Sequence, residues 1–596
     1  MNMQWDLSTL YTSFESEEYT RDIKELDSDI KEIIRLAKTE CTGSPGKDSS
    51  PEKTGAVLVK YIDLYTRIRT LFSGLLYYAN LTFSVDASDM TARKYTEILE
   101  QKLPELTKAD VPFTRWIAGI KDLDTVIENS GVLKDHRFFL QERMRESRYL
   151  LSDSEEILAA KLKNTGSNAW EQLWNILTST VTVDLISDGE SKELPLPVVR
   201  NMAYSVDSSV RKTAFEAELK VYEKFNESAA AALNSIKGEV ISMTELRGYD
   251  SPLDMTLKNS RMDNETLQAM ITAVREYLPV FRKYFLKKAE LLGHRGGLPF
   301  YDLFAPLGKG ETRFTYKEAR DYIVKNFRKF SEPLAAFADN AFEKRWIDAE
   351  QREGKQGGAF CENLHVIGES RIMTNFDGSF SSVTTLAHEL GHGYHGHCLK
   401  DERFLNADYP MPLAETASIF CETLIFQAAL KDADKDEAFT ILENSIQSDA
   451  QVIVDIYSRF LFETELFNRR KVSSLSVAEL KEIMTDAQKK AYGKGLDEQT
   501  LHPYMWACKP HYYYADYNFY NFPYAFGLLF ARGLYALYLK TGDSFIERYD
   551  TLLRETGKNS IRKAASMMDI DVNDPDFWRS SLEIIKKDID TFLAIA

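Results

Sequence analysis

Apolar residues recur at helical spacing along most of this chain, and that periodicity restricts it to a mostly α fold. The stretches YTRDIKELDSDIKEIIRLA from Tyr19, ETLQAMITAVREYLPVFRKYFLKKAELL from Glu265 and SVAELKEIMTDAQKKAY from Ser476 each gather their apolar side chains on one face. At 596 residues the chain exceeds what one compact core accommodates. A turn-rich stretch at Ile186–Pro197 divides it into an expected N-terminal helical region, 1–195, and a second region, 196–596. The sequence TGSPGKDSSPEK from Thr42 reads as a mobile surface excursion between helices. The apolar segment Tyr524–Leu539 carries Arg532 and falls short of the about 20 apolar residues a membrane span needs, so it reads as a buried helix. One stretch departs from the helical pattern. LHVI at Leu364–Ile367 and RIMTNF at Arg371–Phe376, separated by Gly368, Glu369 and Ser370, predict a β-hairpin. It is either ordinary sheet or an edge strand to which a peptide backbone can add by main-chain hydrogen bonds.

Charge and cysteine usage narrow the function classes. The formal net charge of -17 and the absence of any Lys/Arg run argue against a nucleic-acid partner. The five cysteines, Cys41, Cys361, Cys398, Cys421 and Cys508, are odd in number and widely spaced, with no CxxC pair, which suits a reducing compartment. The N-terminal sequence lacks the basic start and apolar stretch of a signal peptide. The expectation is a cytoplasmic protein with no membrane partner.

The chemistry concentrates in TTLAHELGHGYHGHCL. At about 100° per residue, His388 and His392 of HELGH lie about 40° apart on a helix, so both imidazoles can reach one ion. Leu386, Leu390 and Tyr394 form an apolar stripe on roughly the opposite face, as in a helix docked on a core. Glu389, beside the histidines, is placed to accept a proton from a water acidified by the cation, the general-base role. A catalytic zinc has three protein ligands and an open position, so a third ligand is required. A third histidine in the pattern HExxHxxGxxH is excluded, because those positions hold His395 and Cys398. The next helical run, PLAETASIFCETLIFQAAL from Pro412, is largely apolar, and its Glu415, Ser418 and Glu422 share one face. Carboxylates on so apolar a helix need a partner. Salt bridges are one solution. Beside HELGH the better one is Glu415 as the third ligand, with Ser418 and Glu422 holding the imidazoles in place. His395 and His397 are open between a fourth ligand, a group supporting the ligands, and a surface position; full coordination would close the site, which favours the last two.

These residues resemble the oligoendopeptidase F branch of the thimet oligopeptidase family. The likeness runs through WDLSTLY, FYDLFAPLG, GKQGGAFC, TNFDGSFSSVTTLAHELGHGYH and LAETASIFCE, and so over nearly the whole chain. It implies a two-lobed helical clamshell with a deep substrate channel, a small hairpin or sheet beside the active site, and one zinc per chain. It also implies a histidine and two tyrosines seven residues apart in KPHYYYADYNFYNFPYAFG, matched by His511, Tyr517 and Tyr524, as donors to the oxyanion formed in peptide hydrolysis. The spacing from the histidine to the first tyrosine is one residue longer than in thimet-type members, so Tyr514 and Tyr520 stand as alternatives to Tyr517. Tyr512, Tyr513, Tyr514, Tyr520, Phe519 and Phe522 otherwise read as aromatic core. Gly354, Gly357 and Gly358 read as a flexible turn near bound peptide. The implied activity is endoproteolysis of short peptides. Its rivals are a silent peptide-binding scaffold and a carboxypeptidase, for which Arg371 could pair with the substrate's terminal carboxylate.

Overall fold

The computed structural model describes residues 2–42, 45, 50–187, 190–308 and 313–596. Helices dominate, as the periodicity predicts, and their starts are written locally. Ser16 caps the helix Glu17–Thr39 by accepting from the Tyr19 amide, and Ser50 with Pro51 opens the helix Pro51–Val85. Most of the Gly- and Ser-rich excursion after Thr42 lies outside the described residues; its end, from Pro51, is helix.

Two compact units are each assembled from three stretches of chain. The first comprises Met1–Leu150, Thr312–Ala428 and Tyr538–Asp569; the second comprises Leu151–Glu311, Ala429–Leu537 and Ile570–Ala596. The expected break between 195 and 196 falls inside the second unit. The turn-rich stretch there overlaps two strands, β1 (Thr182–Ser187) and β2 (Glu190–Pro195), which pair antiparallel with Thr182 opposite Pro195.

The first unit is built on an aromatic-rich core that includes Tyr19, Tyr61, Phe113 and Ile117, all fully buried. At about 1.5–3 kcal/mol for each fully buried large apolar side chain, such a core is the main force ordering the helices around it. The unit also holds a small sheet of β3 (Ile347–Asp348), β4 (Phe360–Leu364) and β5 (Glu369–Met373), in the order β3-β5-β4. The hairpin is therefore present, but its first strand is Phe360–Leu364 instead of Leu364–Ile367. Leu364 pairs with Glu369, and the loop between them ends on Gly368 at φ +66°, a left-handed conformation that glycine adopts without steric cost. Phe360, Leu364 and Met373 pack with Trp5 and Leu81, and β4 forms one edge of the sheet.

In the second unit, Trp174 stacks on Tyr513 with centroids 4.6 Å apart and donates to the Ala507 carbonyl at 2.8 Å. The buried Lys237 bonds Glu463 at 2.9 Å and Asn518 at 2.8 Å, tying the tyrosine-rich segment to two helices. The helix Phe522–Thr541 is apolar enough by composition to cross a membrane, yet from Phe522 to Ala536 every residue except Tyr524 is buried in the protein. The reading as a core helix holds. All five cysteines are free thiols.

Candidate active site

HELGH lies on the helix Phe380–Leu399 in the first unit. Ser379 caps it by accepting from the Ser382 amide, while the Asp377 carboxylate accepts from the Ser379 amide at 2.9 Å. Leu386, Leu390 and Tyr394 are buried as the apolar stripe requires. The Tyr394 hydroxyl donates to Asp550 at 2.8 Å and anchors that face. The opposite face meets the helix Met411–Asp432, and Gly391 makes the meeting possible. A Cβ on Gly391 would stand 2.5 Å from the Ala417 carbonyl oxygen and 2.6 Å from the Ser418 Cα. These are backbone atoms and cannot rotate away. Gly391→Ala adds helix propensity of at most about 1 kcal/mol but forces the two helices apart, and overpacking of this kind costs about 1–3 kcal/mol or more. The expected outcome is a lower Tm and weaker metal binding, read by thermal melting and metal titration; a rise in Tm with unchanged metal affinity would show that the crossing is not tight.

Because the helices touch here, three donors converge. His388 Nε2 is 3.3 Å and His392 Nε2 is 3.5 Å from Glu415 Oε2, and the three ligand atoms all lie within 4.8 Å of one another. Tetrahedral zinc with bonds of about 2.0–2.2 Å has ligand-to-ligand edges of about 3.4 Å, so the donor set and its spacing fit such an ion. Around it stand the supporting groups. Glu422 Oε2 is 3.2 Å from His388 Nδ1, which leaves Nε2 facing the group. Ser418 donates to Glu415 at 2.7 Å instead of to an imidazole, and the His392 ring is bonded to the Ala414 backbone.

The electrostatics follow from burial and from these partners. Burial opposes charge on Glu415, but the His388 hydrogen bond and the His392 ring outweigh it and bring its carboxyl down to about 2. Burial likewise opposes charge on His388, and bonds to Glu415 and Glu422 overcome it, whereas His392 is lowered to about 4 by burial. Glu389 is 6% exposed, and burial lifts its carboxyl to about 7. The site thus holds one carboxyl depressed by its histidine partners and, on the neighbouring helix, a second raised toward neutrality by burial, an arrangement that suits a metal ligand and a base.

His395 and His397 take no part in the group. His395 is fully buried, its Nε2 2.8 Å from Thr556 Oγ1 and its ring stacked on Tyr409; His397 packs against Phe337. Tyr409 and Asn363 belong to the surroundings, although no periodicity marks them. Tyr409 is hydrogen-bonded to Asn363 and within electrostatic reach of Glu415, and Asn363 of β4 donates to the His392 carbonyl at 3.0 Å, fixing the edge strand to the metal-group helix. Gly354 and Gly358 adopt positive φ in the loop before β4, but the loop is tethered: the Gln356 amide donates to the Ser84 carbonyl and the Ala87 amide to Gly354. Arg371 is 1% exposed and committed to Glu369 at 2.8 Å, to the Asp6 carbonyl and to Thr9. It is not available to a substrate carboxylate.

His511, Tyr517 and Tyr524 lie in the second unit and cluster around Tyr520. The His511 ring stacks on Tyr520 at 4.9 Å, and Tyr524 and Tyr517 approach it edge-on at 6.0 and 6.1 Å. Tyr512, Tyr513, Phe519 and Phe522 are core, as read, whereas Tyr514 and Tyr520 are half-buried. Phe519, just before Tyr520, has φ +52°, a strained backbone of about 1–2 kcal/mol for a bulky residue. His511 is lowered to about 4 by burial and then by Arg459 and Lys509, so its imidazole is neutral near pH 7.

Comparison with known proteins places these features in a known context. Residues 201–584 match peptidase family M3, and residues 119–182 match the oligopeptidase F N-terminal family. The oligoendopeptidase F homolog of Lactococcus lactis is 24% identical, with 91% of each chain covered, and that of Borreliella burgdorferi is 24% identical with 98% of each covered. Among solved structures, a peptidase from Chlamydophila abortus aligns with a TM-score of 0.82 at 21% identity, covering 100% of this chain and 98% of that one. The oligoendopeptidase F of Enterococcus faecium aligns with a TM-score of 0.71 at 18% identity, covering 96% and 99%.

Proposed function

The chain belongs to peptidase family M3, a family of metallopeptidases, and on that premise we propose that it is a zinc-dependent endopeptidase of short oligopeptides. The observation that carries this reading is the convergence of His388, His392 and Glu415 on one point, with Glu389 beside them. Zinc held by those three residues supplies Lewis acidity toward a peptide carbonyl and toward water. Glu389 takes the proton of the attacking water and passes it to the leaving amine. Glu422 fixes the His388 ring, and Asn363 fixes the register of β4 against the helix. The free edge of β4 offers main-chain donors and acceptors to an extended peptide. His511, Tyr517 and Tyr524 are proposed as donors to the developing oxyanion, a role carried over from the family resemblance.

A substrate that binds as an added strand must be extended, which a short peptide permits and a folded domain does not. Digestion of a peptide library, read by mass spectrometry, should therefore show internal cuts in short peptides and leave a stable folded protein intact. Products confined to single residues trimmed from the C-terminus would favour a carboxypeptidase, a reading the burial of Arg371 already weakens; no products at all would favour a silent scaffold.

Tyr524→Phe separates an oxyanion donor from a core tyrosine. Loss of a buried hydroxyl bond costs about 1 kcal/mol of stability, whereas loss of a transition-state donor lowers kcat by about 100 to 1,000-fold. We expect the second, with metal retained and KM changed less, and the same direction for Tyr517→Phe. Early melting with preserved kcat would make the Tyr524 hydroxyl structural.

A further inference from the structure

The second unit contains a cavity of about 280 Å³ whose lining includes Arg200, Arg211, Arg459 and Lys509. At about 30 Å³ per liquid water this is room for about nine waters, more than a packing defect. One wall is aromatic. Phe215 and Phe300 stack at 5.9 Å, and Phe304 packs on Tyr204 at 5.1 Å. The lining also includes Gln451 and Asp455, the two ends of a π-helical turn, Gln451–Asp455; such turns recur at functional sites.

The cations of the lining are matched one by one, except the last. Arg211 bonds Asp302 at 2.7 Å, Arg200 bonds Glu218 at 3.1 Å, and Arg459 holds Asp455 at 2.5 Å and Asn521 at 3.0 Å. Four cations stand against three carboxylates, and among the described residues the Lys509 ammonium has no hydrogen-bond or ion-pair partner. Burial, followed by the Arg459 guanidinium, disfavours its charge. An unpaired ammonium in a half-closed cavity is costly, and an anion entering the cavity relieves that cost.

We propose that this cavity binds a small organic carboxylate with an apolar body, its anionic end at Lys509 and its body against Phe215, Phe300 and Phe304. The single uncompensated cation matches a monoanion, and the aromatic wall calls for an organic body over a bare inorganic ion. Both the C-terminus of a short peptide and a free organic acid carry this chemistry.

The test is titration calorimetry on the full-length protein with N-acetyl-L-phenylalanine, 3-phenylpropionate and the neutral N-acetyl-L-phenylalanine amide. It is run before and after metal removal, because carboxylates also bind metal centres. Both acids should bind, with or without metal, and the amide at least about tenfold more weakly, as expected when a charge-assisted bond is lost. Lys509→Met and the half-buried Phe304→Asp should each weaken acid binding by at least about tenfold, while Lys509→Arg keeps it. Tighter binding of N-acetyl-L-phenylalanine than of 3-phenylpropionate identifies a peptide terminus as the source, and equal binding identifies any apolar acid; either upholds the site. Equal binding of acid and amide, loss of acid binding on metal removal, or indifference to both Lys509→Met and Phe304→Asp would overturn it.

Discussion

Replacing Glu389 by glutamine is expected to lower kcat by about 10²–10⁴-fold, the contribution typical of a general base, with metal content unchanged. The substitution keeps the shape of the side chain and removes its capacity to accept a proton. Folding should not suffer, since Glu389 is 6% exposed and its carboxylate is disfavoured chiefly by burial, a cost that glutamine's neutral amide reduces. None of the three converging ligand atoms belongs to Glu389, so the variant separates proton transfer from metal binding. Steady-state kinetics beside metal analysis decide the matter. Near-normal turnover by metal-loaded Glu389→Gln would remove the residue from the chemistry.

What the sequence discloses is what one helix can disclose about itself. The 40° separation of His388 and His392 and the buried stripe of Leu386, Leu390 and Tyr394 are properties of a single periodic segment, and both are legible. Glu415 is legible for a second reason: an acidic residue on an apolar helix demands a partner. Properties that depend on two distant segments are not. Nothing in the periodicity says that Gly391 lets one helix reach the Ala417 backbone of another, that Asn363 ties β4 to His392, or that Ser418 serves Glu415 instead of a histidine. The β4 strand FCENL shows no clean alternation, since its first four residues are half-buried on both faces and only Leu364 is buried, and so its boundary is not legible. Tyr520 reads as core because an aromatic run gives no signal of which ring sits at the centre of a cluster. The compact units escape a linear reading altogether, each being built from three separated stretches.

Glu415→Ala is the second change with a large expected effect. Glu415 is the one carboxylate among the three converging donors, and its removal leaves two imidazoles where a catalytic zinc takes three protein ligands. His388 keeps Glu422 at 3.2 Å, so the helix pair has no reason to open, and the loss falls on metal affinity and with it on turnover. Metal-dependent hydrolysis at this site requires that ligand set, and metal analysis of the purified full-length protein tests it most directly. One zinc per chain is expected in the wild type and in Glu389→Gln and almost none in Glu415→Ala; full zinc stoichiometry in Glu415→Ala would contradict the ligand set.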